Sequence, residues 1–338
     1  MKLSQAQKIV MAAIEHAMNN RNSRDSSRLV PCLMSAAGLG KTTMVKDICK
    51  DMDIECRIMS LGQYDAGEIA GWSVPNADNS GMNRVRPDWM PTDGRGVLFL
   101  DEVFQCPTAN MNIAAQLCNE YRVGPHHLPE GWVVVCASNR LSDRAGTSSV
   151  PSHLKDRLLF LDVEADINET VGYLVANGAD ERVCGFLRFR PEFLHRFDKD
   201  AMSCPTPRSW DRVSTILSWN LDPVDMLEAI AGQVGQAAAA DFAGYMRLHE
   251  AIPDIDAVIA NPKDAPIPDD AGVLYAVCAA LTSRVTTKNI DKIMEYLVRL
   301  PQQEMTAFVV ADAVRKDAEI KRSKSIRAWA GSHSHLWL

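Results

Sequence analysis

The chain has 338 residues, 46% of them hydrophobic and 23% charged, which is enough apolar material for a full core and excludes a disordered or low-complexity chain. A formal charge of −7 and a sequence pI near 5.6 argue against a protein whose whole surface grips nucleic acid. Nine scattered cysteines without a C-x-x-C pair exclude a disulfide framework and read as reduced thiols.

Residues 4–19 place Ile9, Val10, Ala13, Ile14 and Ala17 at helical spacing. The stretch Met1–Asn20 holds internal charges and no small-residue cleavage site, so it does not read as a leader, and a cytoplasmic protein is expected. No apolar run reaches the roughly 18 residues of a membrane span. Residues 19–27 are polar and read as a loop. Leu29–Met34 has a strand's length and composition, Thr42–Met52 reads as a helix, and Cys56–Ser60 as a second strand. Asp65–Asn83, rich in Gly, Asn, Ser and Asp, is expected to be an insertion or mobile loop. Val97–Leu100 is a buried strand, Ala109–Tyr121 an amphipathic helix, Trp132–Ala137 another apolar strand, and Leu158–Leu161 a fifth. Strands alternating with helices predict an α/β unit with a doubly wound parallel sheet covered on both faces.

After about Asp166 the strand runs stop. Asn168–Ala176, Val183–Phe186, Trp210–Trp219, Val224–Ala240 and Ala271–Thr286 read as helices, and Pro253–Pro268, with four prolines, as a linker. The expected organisation is therefore an α/β nucleotide-binding domain over 1–165, an all-helical lid over 166–252 and a helical C-terminal extension over 253–338. The adjacent pair His126-His127, and His333 with His335, are read as solvated groups rather than metal ligands.

Two motifs carry chemistry. Ser35-Ala36-Ala37-Gly38-Leu39-Gly40-Lys41-Thr42, followed by Thr43, lies between a strand and a helix and matches the phosphate-binding G-x-x-x-x-G-K-[ST] pattern, with Ser35 in the first glycine's place. Small residues let the backbone bend so that its N–H groups and a helix N-terminus face phosphates. Lys41 is then set against the β- and γ-phosphates of ATP, and the Thr42 hydroxyl against Mg²⁺. The second motif is Val97-Leu98-Phe99-Leu100-Asp101-Glu102, an apolar strand ending in two carboxylates. Ligands of such sheets bind at the carboxyl ends of the strands. Asp101 is the expected magnesium-side carboxylate and Glu102 the expected base for an attacking water. Taken alone, the acidic pair also suits a helix cap.

These motifs, with Val133–Ala137 followed by Ser138-Asn139-Arg140, resemble AAA+ ATPases, and the chain is most similar to their MoxR-like group over roughly residues 5–250. The resemblance implies several roles. Asn139 stands where that family has the polar sensor 1 residue between the acidic pair and the γ-phosphate. Arg157, in Lys155-Asp156-Arg157-Leu158, stands at the arginine finger that reaches a neighbouring subunit's nucleotide, with Arg140 and Arg144 as rivals. Arg208, in Pro205-Thr206-Pro207-Arg208-Ser209-Trp210, stands at sensor 2 on the lid. Gly67–Trp72 leading to Arg86-Pro87 resembles the helix-2 insert, and Arg122–Trp132 a hairpin before sensor 1, both candidate substrate contacts through Trp72, Met82 and Arg84.

A finger that serves a neighbour implies a ring, by resemblance a hexamer. The resemblance further implies a remodelling chaperone acting on a protein client or a von Willebrand factor A-type partner. The alternative is a DNA-directed ATPase such as a helicase loader. The acidic balance disfavours nucleic acid, although Lys321, Arg322, Lys324 and Arg327 lie near Trp329 and Trp337 in the tail.

Overall fold

Helix α1 (Leu3–Asn19) buries Ala6, Val10 and Ile14, residues four apart that line one face. The computed structural model describes residues 1–20, 29–140, 150–198, 200–249 and 252–333. Arg144, His335 and Trp337 lie outside the described residues, as does most of the loop expected at 19–27. Strand β1 (Val30–Ser35) leads through the glycine-rich turn into α2 (Lys41–Asp51), which buries Met44, Val45, Ile48 and Cys49. Strand β2 (Glu55–Ser60) follows.

The segment expected to be an insertion or mobile loop at 65–83 contains a short helix and two strands. Asp65 and Glu68 form a reciprocal capping box that starts the short helix α3 (Ala66–Ala70). Strands β3 (Ser73–Pro75) and β4 (Met82–Arg84) then pair antiparallel, with Ser73 opposite Arg84. Composition marked the polar turn at their tip, and three-residue strands are too short to show a period.

Strand β5 (Arg95–Asp101) is buried from Gly96 to Leu100. After α4 (Thr108–Glu120), the two-residue strands β6 (Arg122–Val123) and β7 (His126–His127) form a small hairpin. Strand β8 (Gly131–Asn139) is buried from Trp132 to Ser138, and the Trp132 indole donates to Asp93 O at 2.8 Å. A short helix, α5 (Ser152–Lys155), precedes β9 (Leu158–Asp162). The sheet is five-stranded and parallel, in the order β2-β5-β8-β1-β9. Strands buried on both faces need continuous apolar runs, which is what β5 and β8 supply.

The chain divides into two compact units at Glu164/Ala165. The second is all-helical: α6 (Ile167–Ala176), α7 (Glu181–Phe189), α8 (Pro207–Ile216), α9 (Pro223–Val234), α10 (Gln236–His249), α11 (Ile255–Ala260), α12 (Ala271–Arg284), α13 (Ile290–Leu297), α14 (Gln303–Lys316) and α15 (Lys324–Ser332). The single helix expected over 224–240 is two, because Gly235 takes φ +81° and ends α9. The proline-rich stretch 253–268 contains α11, which Asp254 caps.

This unit has two apolar clusters. One gathers Phe186 with Phe193, Trp210, Phe242 and Tyr245, ring centroids 5.1–5.7 Å from Phe186. The other centres on α12, α13 and α14. The clusters divide near residue 252, and α12 packs along α7, and α14 along α6, to join them. Arg188 on α7 and Asp312 on α14 form an ion pair at 2.7 Å, with both side chains buried.

Candidate nucleotide site

The glycine-rich turn takes its shape from two left-handed residues, Gly38 at φ +81° and Gly40 at φ +80°. A Cβ disfavours that region by about 1 kcal/mol or more, so these two positions favour glycine. The first N–H groups of a helix lack intrahelical acceptors, and in α2 the ladder begins with Met44 N donating to Gly40 O at 2.9 Å. The turn therefore presents the positive end of α2 beside the carboxyl ends of β1, β8 and β5.

Lys41 opens α2 and is buried, with 8% of its surface exposed. Its Nζ donates to Ser35 Oγ at 2.9 Å, to Ser35 O at 3.3 Å and to Asn139 Oδ1 at 3.1 Å. The departure from the motif at Ser35 thus has a structural use: its hydroxyl accepts from the lysine and donates to Ala36 O at 2.8 Å. One residue along α2, Thr42 Oγ1 donates to Asp101 Oδ2 at 2.9 Å, which ties the turn to the end of β5.

The sheet order makes this convergence possible. Strand β8 lies between β1 and β5, with Ser35 in register with Asn139 and Leu100 with Cys136. The tip of β8 is therefore set between the lysine turn and the acidic pair, and Lys41–Asn139 and Thr42–Asp101 close the arrangement. Glu102 follows with φ +55°, a conformation that costs a non-glycine residue about 1–2 kcal/mol. Its N–H donates to Asp101 Oδ1 at 2.9 Å, and its side chain stays exposed. The chain then tucks beneath β8, where Val103 N donates to Ala137 O at 3.0 Å and Phe104 N to Ser138 Oγ at 3.3 Å. Sequence reasoning passed over Ser138, whose buried hydroxyl helps fix the strained corner at Glu102. Its place beside Asn139 was the only signal.

Arg140 donates to Asp162 Oδ1 at 2.8 Å and to Val163 O at 3.0 Å, so β9 engages this rival for the finger role. Arg157 follows α5, is partly exposed, and donates to the His153 carbonyl. Arg208 is exposed in the first turn of α8, in the second unit. Thr206 and Ser209 cap that helix reciprocally, and Pro207 sits at its first position. The β3–β4 and β6–β7 hairpins touch, with Arg84 O 2.8 Å from His126 Nε2, and Trp72, just before β3, and Met82, on β4, are more than 60% exposed.

In sequence, no protein-family model and no curated protein matches the chain. Among solved structures it is similar to RuvB, the Holliday junction branch migration motor of Thermotoga maritima. That likeness has 16% identity over 88% of each chain and a TM-score of 0.40. It is also similar to NtrX from Brucella abortus, with 12% identity over 97% of this chain and 68% of that one, at a TM-score of 0.39. These likenesses are loose, and the functional reading rests on the geometry of the site itself. No described helix is long and apolar enough to cross a membrane.

Proposed function

We propose that the chain is an AAA+-type ATPase of the MoxR-like kind, which hydrolyses ATP in a ring of its own copies to remodel, load or activate a partner macromolecule. The observation that carries the first part is the meeting of Lys41, Thr42, Asp101 and Asn139 at the carboxyl edge of the sheet, beside the start of α2. The residues present fit ATP and Mg²⁺. The left-handed glycines open the turn to a phosphate, and Thr42 Oγ1 with Asp101 Oδ2 is the oxygen set that a hard cation prefers.

In this reading Lys41 lies against the β- and γ-phosphates, where its burial strengthens the attraction. Thr42 and Asp101 would hold a magnesium ion, whose charge would offset the negative charge of the phosphates. Glu102 accepts the proton of the attacking water. The Asn139 amide, already oriented by Lys41, holds the water or a γ-oxygen in line. Arg157 supplies a second cation from an adjacent copy, and Arg208 links the nucleotide to the helical unit. A residue donated across a head-to-tail interface leaves a lone copy incomplete, and such interfaces repeat until they close. Six copies and a protein client, including a von Willebrand factor A-type partner, are the form the resemblance favours.

The test is steady-state ATP turnover across dilution, for the wild type and Arg157→Ala, each alone, with single-stranded DNA and with an unfolded protein. Wild-type specific activity should fall on dilution, and unfolded protein should raise it. Stimulation by DNA alone, weakening with salt, replaces the protein client with a DNA-directed role. Flat specific activity on dilution, with Arg157→Ala equal to wild type, refutes the ring.

A further inference from the structure

The helical unit holds a cavity of about 200 Å³ that the ATPase reading does not use. Helices α6, α7, α12 and α14 wall it, and its apolar lining includes Val175 and Phe308. Its polar lining includes Arg188, Glu181, Asp312 and Lys316.

Arg188 is the informative wall. Its residue is 9% exposed, and its guanidinium carbon lies 4.8 Å from the centre of the Phe308 ring. Two of its three nitrogens are engaged: Nη2 donates to Asp312 Oδ2 at 2.7 Å and Nη1 to Asn168 Oδ1 at 2.5 Å. The third, Nε, is buried and has no acceptor among the described residues. A buried donor left unpaired is costly, and more so when charged.

The charges around the cavity are unequal. Asp312 is shared between Arg188 and Arg315, the latter at 3.1 Å. Glu181 lies 3.5 Å from Arg284. Lys316 donates to the Ser283 and Thr282 carbonyls, which carry no full charge and leave it one further N–H. Positive charge is in surplus where a hydrogen-bond donor waits, and apart from Thr282 and Ser283 most of the remaining wall is apolar.

We infer that this cavity binds a small monocarboxylate, with its carboxylate on Arg188 Nε and the Lys316 ammonium and an aliphatic or aromatic body against Val175 and Phe308. A charge-assisted pair suits the desolvated guanidinium. The volume is room for several water molecules, which suits a short chain or a single ring. The inference is independent of the ATPase reading, and its readout is binding.

The experiment is ligand-observed NMR titration of the full chain with hexanoate, hexanamide and hexylammonium, repeated on Val175→Phe and Arg188→Lys. Val175→Phe places a ring in the cavity, and Arg188→Lys keeps the charge beside Asp312 but removes Nε. Melting curves select variants that stay folded. The expected result is saturable hexanoate binding, at least tenfold weaker for hexanamide and for either variant. No saturation by hexanoate up to about 10 mM refutes a carboxylate site. Equal binding of hexanamide overturns the carboxylate class. Unchanged binding in Val175→Phe places the ligand elsewhere and overturns the assignment.

Discussion

Replacing Asp312 with alanine should be among the most destabilising single changes in the helical unit. The Asp312 side chain is 3% exposed and that of Arg188 6%. The substitution deletes the 2.7 Å bond and leaves a buried guanidinium with Asn168 as its remaining acceptor among the described residues. Breaking a buried pair by removing one partner costs about 3–5 kcal/mol, because the surviving charge stays desolvated. Arg315 also loses its contact, but it is 38% exposed, and solvent screens that share to about 0.5 kcal/mol. For a unit of this size each kcal/mol moves the melting temperature by about 2–4 °C, so the transition should fall by about 6–20 °C. Scanning calorimetry is the assay, since it separates two units that melt apart. The joint variant Arg188→Met with Asp312→Leu should recover most of the loss, because neither charge is then buried alone. A loss below about 1 kcal/mol for Asp312→Ala, or a joint variant as unstable as the single one, would refute this reasoning.

Lys41→Ala should weaken ATP binding by at least about tenfold, since a buried ammonium beside the phosphates is lost, and equilibrium binding of a fluorescent ATP analogue checks it. Asp101→Asn should raise the magnesium concentration needed for half-maximal turnover while leaving the melting temperature within a few degrees. His249 responds to pH. Burial holds its imidazole below the ordinary 6.5, although Glu181 at 3.6 Å pulls the other way. Below pH 6.5 the unfolded chain therefore binds the proton more readily than the folded one. Stability is full above about pH 6.5 and declines as pH falls toward the folded pKa. Urea melts at pH 7.5 and 5.5 should show that decline, and His249→Gln should reduce it.

The parts of the fold legible in the sequence are those that one local rule controls. Strands β5 and β8 are buried on both faces and read as unbroken apolar runs. The glycine-rich turn declares itself because the chain needs left-handed residues there and uses Gly38 and Gly40. The acidic pair shows because carboxylates end an otherwise apolar strand. What escaped depends on residues far apart or on elements too short to have a period. The β3–β4 hairpin hides in a polar stretch, and Gly235 divides what composition presents as one continuous helix. Lys41 and Asn139 are 98 residues apart and in the sequence are brought to one site only by the resemblance, while Arg188 and Asp312, 124 apart, have no such guide. No local pattern pairs them, and the sheet order and the helix packing bring them together.

The most direct test of the central claim is ATP turnover by Glu102→Gln beside the wild type, with ATP affinity measured on both. Glu102 is exposed at the carboxyl edge of the sheet and held at a strained backbone angle next to Asp101. Loss of a positioned general base should lower turnover by about 10²–10⁴-fold. Because the substitution leaves Lys41 and Thr42 in place, affinity for ATP should change little. Equal turnover in the two proteins under conditions where both bind ATP would contradict the assignment of Glu102 and, with it, the account of this site as a hydrolytic one.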